Sequence, residues 1–436
     1  MQFKYGLDDK VPLGENWLLG LQWLFIAIPS ILIIGKIVGG LHYTSPLDQV
    51  VYLQKLSLVM ALTIFFQVLW GHRLPLISGP STVLLIGVIA SRSFAVESVY
   101  TSMMIGGLIL ALLSTTGLFG HLRKLFTTRV VAVVLLLIGF TLMPTVMNLI
   151  TRTSGRSSAW ANLFFAFGLT LGLIVLQKYL KGIWKSTLIL WAMFLGSLGY
   201  FLIFHEEWTV GNLSGLAPFS FFGQHLFTGF SFEPGVLISF LICFLALSIN
   251  DLGSIESMEE ILNPSQMPQR INRGITFTGM ANVLAGFFGV VGPVNFSLSP
   301  GVILSTRCAS RYTLIPTAVL LFLLSFSPAA TGLIGIVPSV IIGTVLLYIL
   351  CFQVGAGIVL VSKTEGGSQV ETGLVIGLPL LLGTMVAFLP SGVIETFPMF
   401  LRPLLGNGFV IGIFTAFLLE GIIFRKRERG TARGKE

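Results

Sequence analysis

The chain is 436 residues long, 54% hydrophobic and only 10% charged. Soluble domains carry roughly 25% charged residues, so this composition excludes an ordinary soluble enzyme and requires a polytopic membrane protein. The formal net charge of +8 then reads as a topology signal, not as a nucleic-acid footprint.

Apolar runs of roughly 17–25 residues mark candidate spans. In chain order they fall at 16–35, 50–70, 74–91, 101–119, 130–150, 159–177, 184–204, 233–251, 274–290, 291–309, 312–328, 335–352, 371–389 and 404–424. The expected fold is an all-α polytopic membrane protein of about fourteen segments. The N-terminus is polar, and its first apolar run is long and lacks a small-residue cleavage site, so no signal peptide is expected. With that end in the cytoplasm, about twenty of the 26 Lys+Arg fall on the cytoplasmic side, as the positive-inside rule requires. Both termini are therefore expected inside. Cys243, Cys308 and Cys351 lie in apolar runs, so no disulfide framework is expected.

Two segments are too broken to be plain helices. At 71–92, Pro75 precedes Gly79-Pro80-Ser81, and the run closes at Ala90-Ser91-Arg92. At 286–311, Gly289, Gly292, Pro293 and Pro300 interrupt an apolar run that closes at Ala309-Ser310-Arg311. Val290, Val291, Val294 and Phe296 favour extended backbone. Short extended pieces are thus expected in the third and tenth segments, each followed by a half-helix, with Ser299 as the second half-helix's N-cap. Such backbone must be buried in protein or line a cavity. Paired broken segments in corresponding halves point to a transporter's substrate site.

The midpoint falls in the aromatic-rich loop 205–232. Residues 1–204 hold seven spans, 233–424 about seven more, and 425–436 form a basic tail. An odd number per half inverts one half against the other, a 7+7 inverted repeat. The candidate chemistry is sparse. Asn250 and Asp251 close the eighth span, where Asp251 either carries a proton or caps a local turn. The substrate candidates are Asn250, Phe296, Ser297, Leu298, Ser299, Ser81, Thr82 and Gln22. No His/Cys cluster has metal spacing, and no nucleotide fingerprint occurs, so no metal or cofactor is expected. The five histidines fall in loops or at span ends, and none reads as a proton relay.

Several motifs together resemble the nucleobase–ascorbate transporter family, also called nucleobase:cation symporter-2 or uracil/xanthine permeases. They are Val11-Pro12-Leu13-Gly14 with Leu18 to Gln22, Arg73-Leu74-Pro75 with Gly79-Pro80-Ser81, and Leu284 to Gly289. Ser299-Pro300-Gly301 with Thr306-Arg307 and Ser310-Arg311 resembles the family signature, and Ile336-Val337-Pro338 and Asn407-Gly408 fit later landmarks. The resemblance implies core and gate domains interleaved across both repeats, often in a homodimer, and a substrate held between the third, eighth and tenth spans. It also departs from the family pattern. Trp23 stands where a His is usual, Asn250 replaces the substrate-binding glutamate, Leu298 a Gln/Glu, and Ser299 an Asn. The pattern looks like an atypical branch labelled purine permeases.

The expected function is secondary-active transport of a purine-like nucleobase or related heterocycle by alternating access, with a proton or sodium co-substrate. The expected setting is the lipid of a bacterial inner membrane. Two alternatives share the fold: a small-anion transporter and a non-transporting receptor.

Overall fold

The computed structural model describes residues 3–117, 127–153, 157–204, 217–222, 229–296, 299–362 and 369–424. The chain opens with two long helices, α1 (Leu13–His42) and α2 (Pro46–Leu69). A three-residue strand, β1 (Ser78–Pro80), leads into the short helix α3 (Thr82–Ala90) and then α4 (Val96–Thr115). Next come α5 (Thr128–Thr141), α6 (Met143–Thr151), α7 (Ala159–Tyr179) and α8 (Leu188–Phe204). The later half repeats the opening: α9 (Pro234–Leu262), α10 (Met267–Phe288), β2 (Pro293–Asn295) and the short helix α11 (Ser299–Thr306). It ends with α12 (Leu314–Ser325), α13 (Pro328–Ile334), α14 (Ser339–Ser362), α15 (Gln369–Ala387) and α16 (Gly408–Leu418).

Among the described residues, eight helices are long and apolar enough to cross a membrane, counting α5 and α6 as one. Shorter apolar helices lie at Leu188–Phe204, Arg311–Ser325 and Gly408–Ile423. Two segments differ from their expected outlines. The run 130–150 is broken at Leu142, just before Pro144. The eighth segment does not stop at residue 251 but continues to Leu262.

The helices pack in two sets. In the first, α4 lies against α10 and α9, α2 against α12 and α10, and α1 against α2 and α12. The strands and the half-helix α3 belong to this set, through α1 and α9. In the second, α14 lies against α5, α6, α7 and α8, and α15 against α5 and α16. The second set leaves more apolar surface open: about a fifth of α7's most apolar window is buried, against two thirds for α1 and α2. Phe164, Phe167 and Leu171 of α7 are exposed, as lipid-facing side chains are.

The strands pair antiparallel, with Ser78 opposite Asn295, Gly79 opposite Val294 and Pro80 opposite Pro293. Beyond the strands, Phe296 N–H donates to Ile77 O (2.9 Å) and Ser81 N–H to Gly292 O (2.9 Å). Antiparallel pairing alternates hydrogen-bonded and non-hydrogen-bonded pairs. With bonds at 77/296 and 81/292, the pair Pro80–Pro293 is a non-bonded one. Its two N–H groups would point away from the ladder into a buried interior. Proline has none, so nothing there goes unsatisfied. Because the strands run oppositely, α3 and α11 leave from opposite ends of this small sheet.

Past α11 the chain is held by its own beginning. Lys4 N–H donates to Arg307 O (2.8 Å), Ala309 N–H to Tyr5 O (3.0 Å) and Arg311 N–H to Leu7 O (3.1 Å), a parallel strap. Ser310 Oγ donates to Asp9 O (2.6 Å), and Arg311 pairs with Asp8 (2.7 Å).

Candidate functional site

The sheet sits where two half-helices start, and α9 lies against both β2 and α3. Asp251, on α9, is wholly buried. It is an interior helix residue, so it caps no local turn, which corrects that alternative. Its Oδ1 accepts from Asn295 N–H (3.0 Å) and its Oδ2 from Thr278 Oγ1 (2.7 Å). Asn295 faces Ser78 in a non-bonded pair, so its N–H points off the ladder. Unlike the prolines it has a donor to satisfy, and Asp251 satisfies it.

The Thr278 hydroxyl has a fixed direction. Gln67 Nε2 donates to Thr278 Oγ1 (3.0 Å) and to Gly274 O (2.9 Å). An oxygen that receives a proton there turns its own proton toward Asp251. One turn on, Asn282 Nδ2 donates to Thr278 O (2.7 Å) and Pro293 O (3.0 Å). Four elements, α2, α9, α10 and β2, are thus joined around one carboxylate.

His72 extends this group. It is fully buried, and its Nδ1 accepts from Leu74 N–H (3.0 Å). A neutral ring then carries its proton on Nε2. His72 contacts the Asn295 side chain, yet His72 Nε2 and Asn295 Nδ2 both stand without a partner. Asn295 Oδ1 accepts from Ser78 Oγ (2.6 Å).

The sequence candidates divide. Ser81 is the N-cap of α3, accepting from Leu84 N–H (3.3 Å). Ser299 is not an N-cap but the first residue of α11. Its hydroxyl accepts from Ile77 N–H (3.1 Å) and donates to Phe296 O (3.0 Å). The hydroxyl thus serves the extension of β1. Phe296 is half-buried, and a Cβ on Gly79 would collide with its ring and approach Ser30 Oγ of α1 to 3.1 Å. Asn250 and Thr82 are half-buried, and among the described residues their side chains make no hydrogen bond. Gln22 is buried on α1, about two turns before Ser30. Ser297 and Leu298 lie outside the described residues.

Sequence reading missed Gln67, Thr278, Asn282, Ser78 and Asn295, and set His72 aside. One signal existed: Gly274, Thr278 and Asn282 recur every fourth residue, one face of α10. Among the described residues, no group of His, Cys, Asp and Glu is placed to hold a metal.

A family model described as "Permease family", that of the xanthine and uracil permeases, matches residues 14–392. The chain belongs to this family. The permease is 26% identical to the xanthine permease of Bacillus subtilis, over 97% of this chain and 96% of that one. It is 25% identical to the uric acid permease PucK of the same organism, over 94% and 96%. The nucleobase transporter PlUacP of Paenibacillus larvae is 24% identical over 92% of this chain and 93% of its own. Among solved structures, the transmembrane domain of a cyanobacterial bicarbonate transporter, BicA, superposes with a TM-score of 0.60 at 16% identity. It covers 87% of this permease and 99% of that domain. SLC26A9 gives a TM-score of 0.59 at 15% identity, over 95% of this chain and 66% of that one, and the murine anion transporter Slc26a9 in its inward-facing state gives 0.59 at 13%, over 96% and 69%. At these identities the likeness is one of fold. The chain is a membrane transport protein and not an enzyme.

Proposed function

We propose that this permease carries a purine-like nucleobase across the membrane by alternating access. One observation carries the reading: relatives that match nearly the whole chain are named for xanthine and uric acid. The site geometry supports it. Asn250 offers a donor and an acceptor, as a purine edge requires. Phe296 presents a ring for stacking. Thr82 begins α3, whose N-terminal N–H groups attract a carbonyl oxygen or a negative charge. Ser81 and Ser299 hold the half-helices in place, and Gln22, Ser297 and Leu298 complete the proposed lining.

The finer architecture belongs to the same proposal: fourteen spans as two inverted repeats, residues 1–204 and 233–424. The antiparallel strands, with half-helices leaving opposite ends, support an inverted relation. The two packing sets correspond to a core and a gate. The chain sits in a bacterial inner membrane, with both termini cytoplasmic, as a homodimer in lipid. A proton or sodium ion accompanies the substrate, and Asp251 is the proton-coupling candidate. The anion-transporter alternative draws only on fold likeness.

The test is xanthine and urate binding to purified permease, followed by uptake of the labelled base into proteoliposomes. Saturable uptake supports the reading. Bicarbonate flux without base flux, or base binding with no flux at all, overturns it.

A further inference from the structure

Between the long described helices of the two sets the chain crosses from α4 to α5, from α8 to α9, and from α13 to α14. The third crossing is Gly335 to Pro338 and is described throughout. Four residues span at most about 13 Å. Motion of one set against the other must therefore be absorbed within this link or at its ends.

The link is not free. Lys36, on α1, donates its ammonium to Gly335 O and to Val337 O, the latter at 2.8 Å. These carbonyls flank Ile336. The N-terminal side is also closed, by Gly335 N–H to Thr331 O (3.0 Å) and Ile336 N–H to Leu333 O (3.3 Å). On the far side, Pro338 O accepts from Ile342 N–H (3.1 Å) and so belongs to α14. Val337, preceding a proline, is restricted to extended backbone. The Lys36 grip ends where α14 begins.

A lysine in an apolar helix ordinarily extends its stem to bring its charge to water. Lys36 is half-buried and spends two donors on the backbone of one short link. Charge-assisted bonds of this kind are roughly twice as strong as neutral ones.

We infer that Lys36 is a positioning residue for translocation: it fastens the link to the first helix set, so that α14 pivots at Pro338. This rests on the alternating-access reading above. The grip does not touch the substrate site, so it acts on the rate of interconversion and not on binding.

The test compares Lys36→Met, which keeps the stem and removes the donors, with Lys36→Arg, which keeps donors. Xanthine is the probe, with its dissociation constant measured on purified permease and its exchange rate in proteoliposomes. Lys36→Met is expected to bind xanthine within about twofold of the unaltered protein and to exchange it about tenfold more slowly, as loss of charge-assisted bonds predicts. Lys36→Arg is expected to restore most of the rate. An unchanged rate in Lys36→Met, or a parallel loss of binding and rate, overturns the inference. Hydrogen exchange at the Gly335 and Ile336 amides gives a readout that needs no ligand. It should quicken in Lys36→Met, and unaltered exchange there also refutes the grip. If the unaltered permease binds no purine, the transport reading fails, while this measurement still decides whether Lys36 holds the link.

Discussion

Asp251 Oδ1 accepts the backbone N–H of Asn295 at 3.0 Å, across 44 positions of sequence. That N–H is the donor on β2 that the strand ladder cannot use, while Pro293 beside it has none to offer. The carboxylate and the proline solve the same problem by opposite means. Asp251 also has a donor fixed on its other oxygen, so the carboxylate ties α9 to β2 and α10.

Asp251→Ala should destabilise the permease by about 2–4 kcal/mol, because the Asn295 N–H and the Thr278 hydroxyl both lose a buried acceptor. Thermal unfolding in detergent reads this. Asp251→Asn keeps an oxygen for Asn295 and should cost less than half as much. The same variant separates anchor from proton carrier. If Asp251 carries the proton, Asp251→Asn still exchanges xanthine across the membrane but no longer accumulates it against a gradient. If Asp251 is an anchor alone, accumulation and its pH profile persist in the asparagine variant.

Asn250→Ala should weaken purine binding about tenfold to a hundredfold, as expected for removing one paired edge from a partly buried site. Its stability should hardly change, since the side chain has no hydrogen bond among the described residues. Titration of xanthine against both proteins checks the first expectation, and melting in the absence of ligand checks the second. Unchanged affinity would remove Asn250 from the site.

The contrast between these neighbours shows what sequence carries. Breaks at Gly79-Pro80 and Gly292-Pro293 can be read directly, because proline's missing N–H and fixed φ are local properties. The paired half-helices follow from the same local chemistry. Partnerships do not. Gln67 reaches Gly274 across 207 positions, and Ser299 reaches Ile77 across 222. No spacing rule foretells them. The end of the eighth segment is misjudged for a related reason. The span is expected over 233–251, with Asn250 and Asp251 near its deep portion and Glu256 at the cytoplasmic end. The helix instead continues to Leu262, because Asp251 finds its partners on other elements. Ser299 likewise has the composition of an N-cap, but Ile77 takes its hydroxyl.

Gly79→Ala should abolish or sharply reduce uptake. A Cβ at Gly79 meets the ring of Phe296, and Ser30 Oγ lies 3.1 Å away on the other element. Forcing a side chain into packed space costs about 1–3 kcal/mol. The cheapest relief is to swing Phe296 aside, which displaces the proposed stacking surface. The double variant Gly79→Ala with Phe296→Leu should therefore recover stability without recovering purine affinity. Melting temperature and xanthine binding, measured on both variants, separate the two effects.

The strap at the chain's start gives a prediction in which two halves of one ion pair differ. Arg311 Nε meets Asp8 at 2.7 Å, but the Asp8 side chain is 61% exposed while that of Arg311 is 12% exposed. An exposed partner adds little, so Asp8→Ala should cost about 0–1 kcal/mol. Arg311 also donates to Val68 O (2.7 Å), near the end of α2, and stacks its guanidinium 4.8 Å from the Tyr312 ring centroid. Removing it takes a charged donor from a helix-end carbonyl, at about 1.5–3 kcal/mol. Arg311→Ala should therefore lower the melting temperature clearly more than Asp8→Ala. The double variant should melt close to Arg311→Ala alone, since the ion pair is already gone there. Equal effects of the two single changes would mean that the ion pair, and not the Val68 contact, holds the strap.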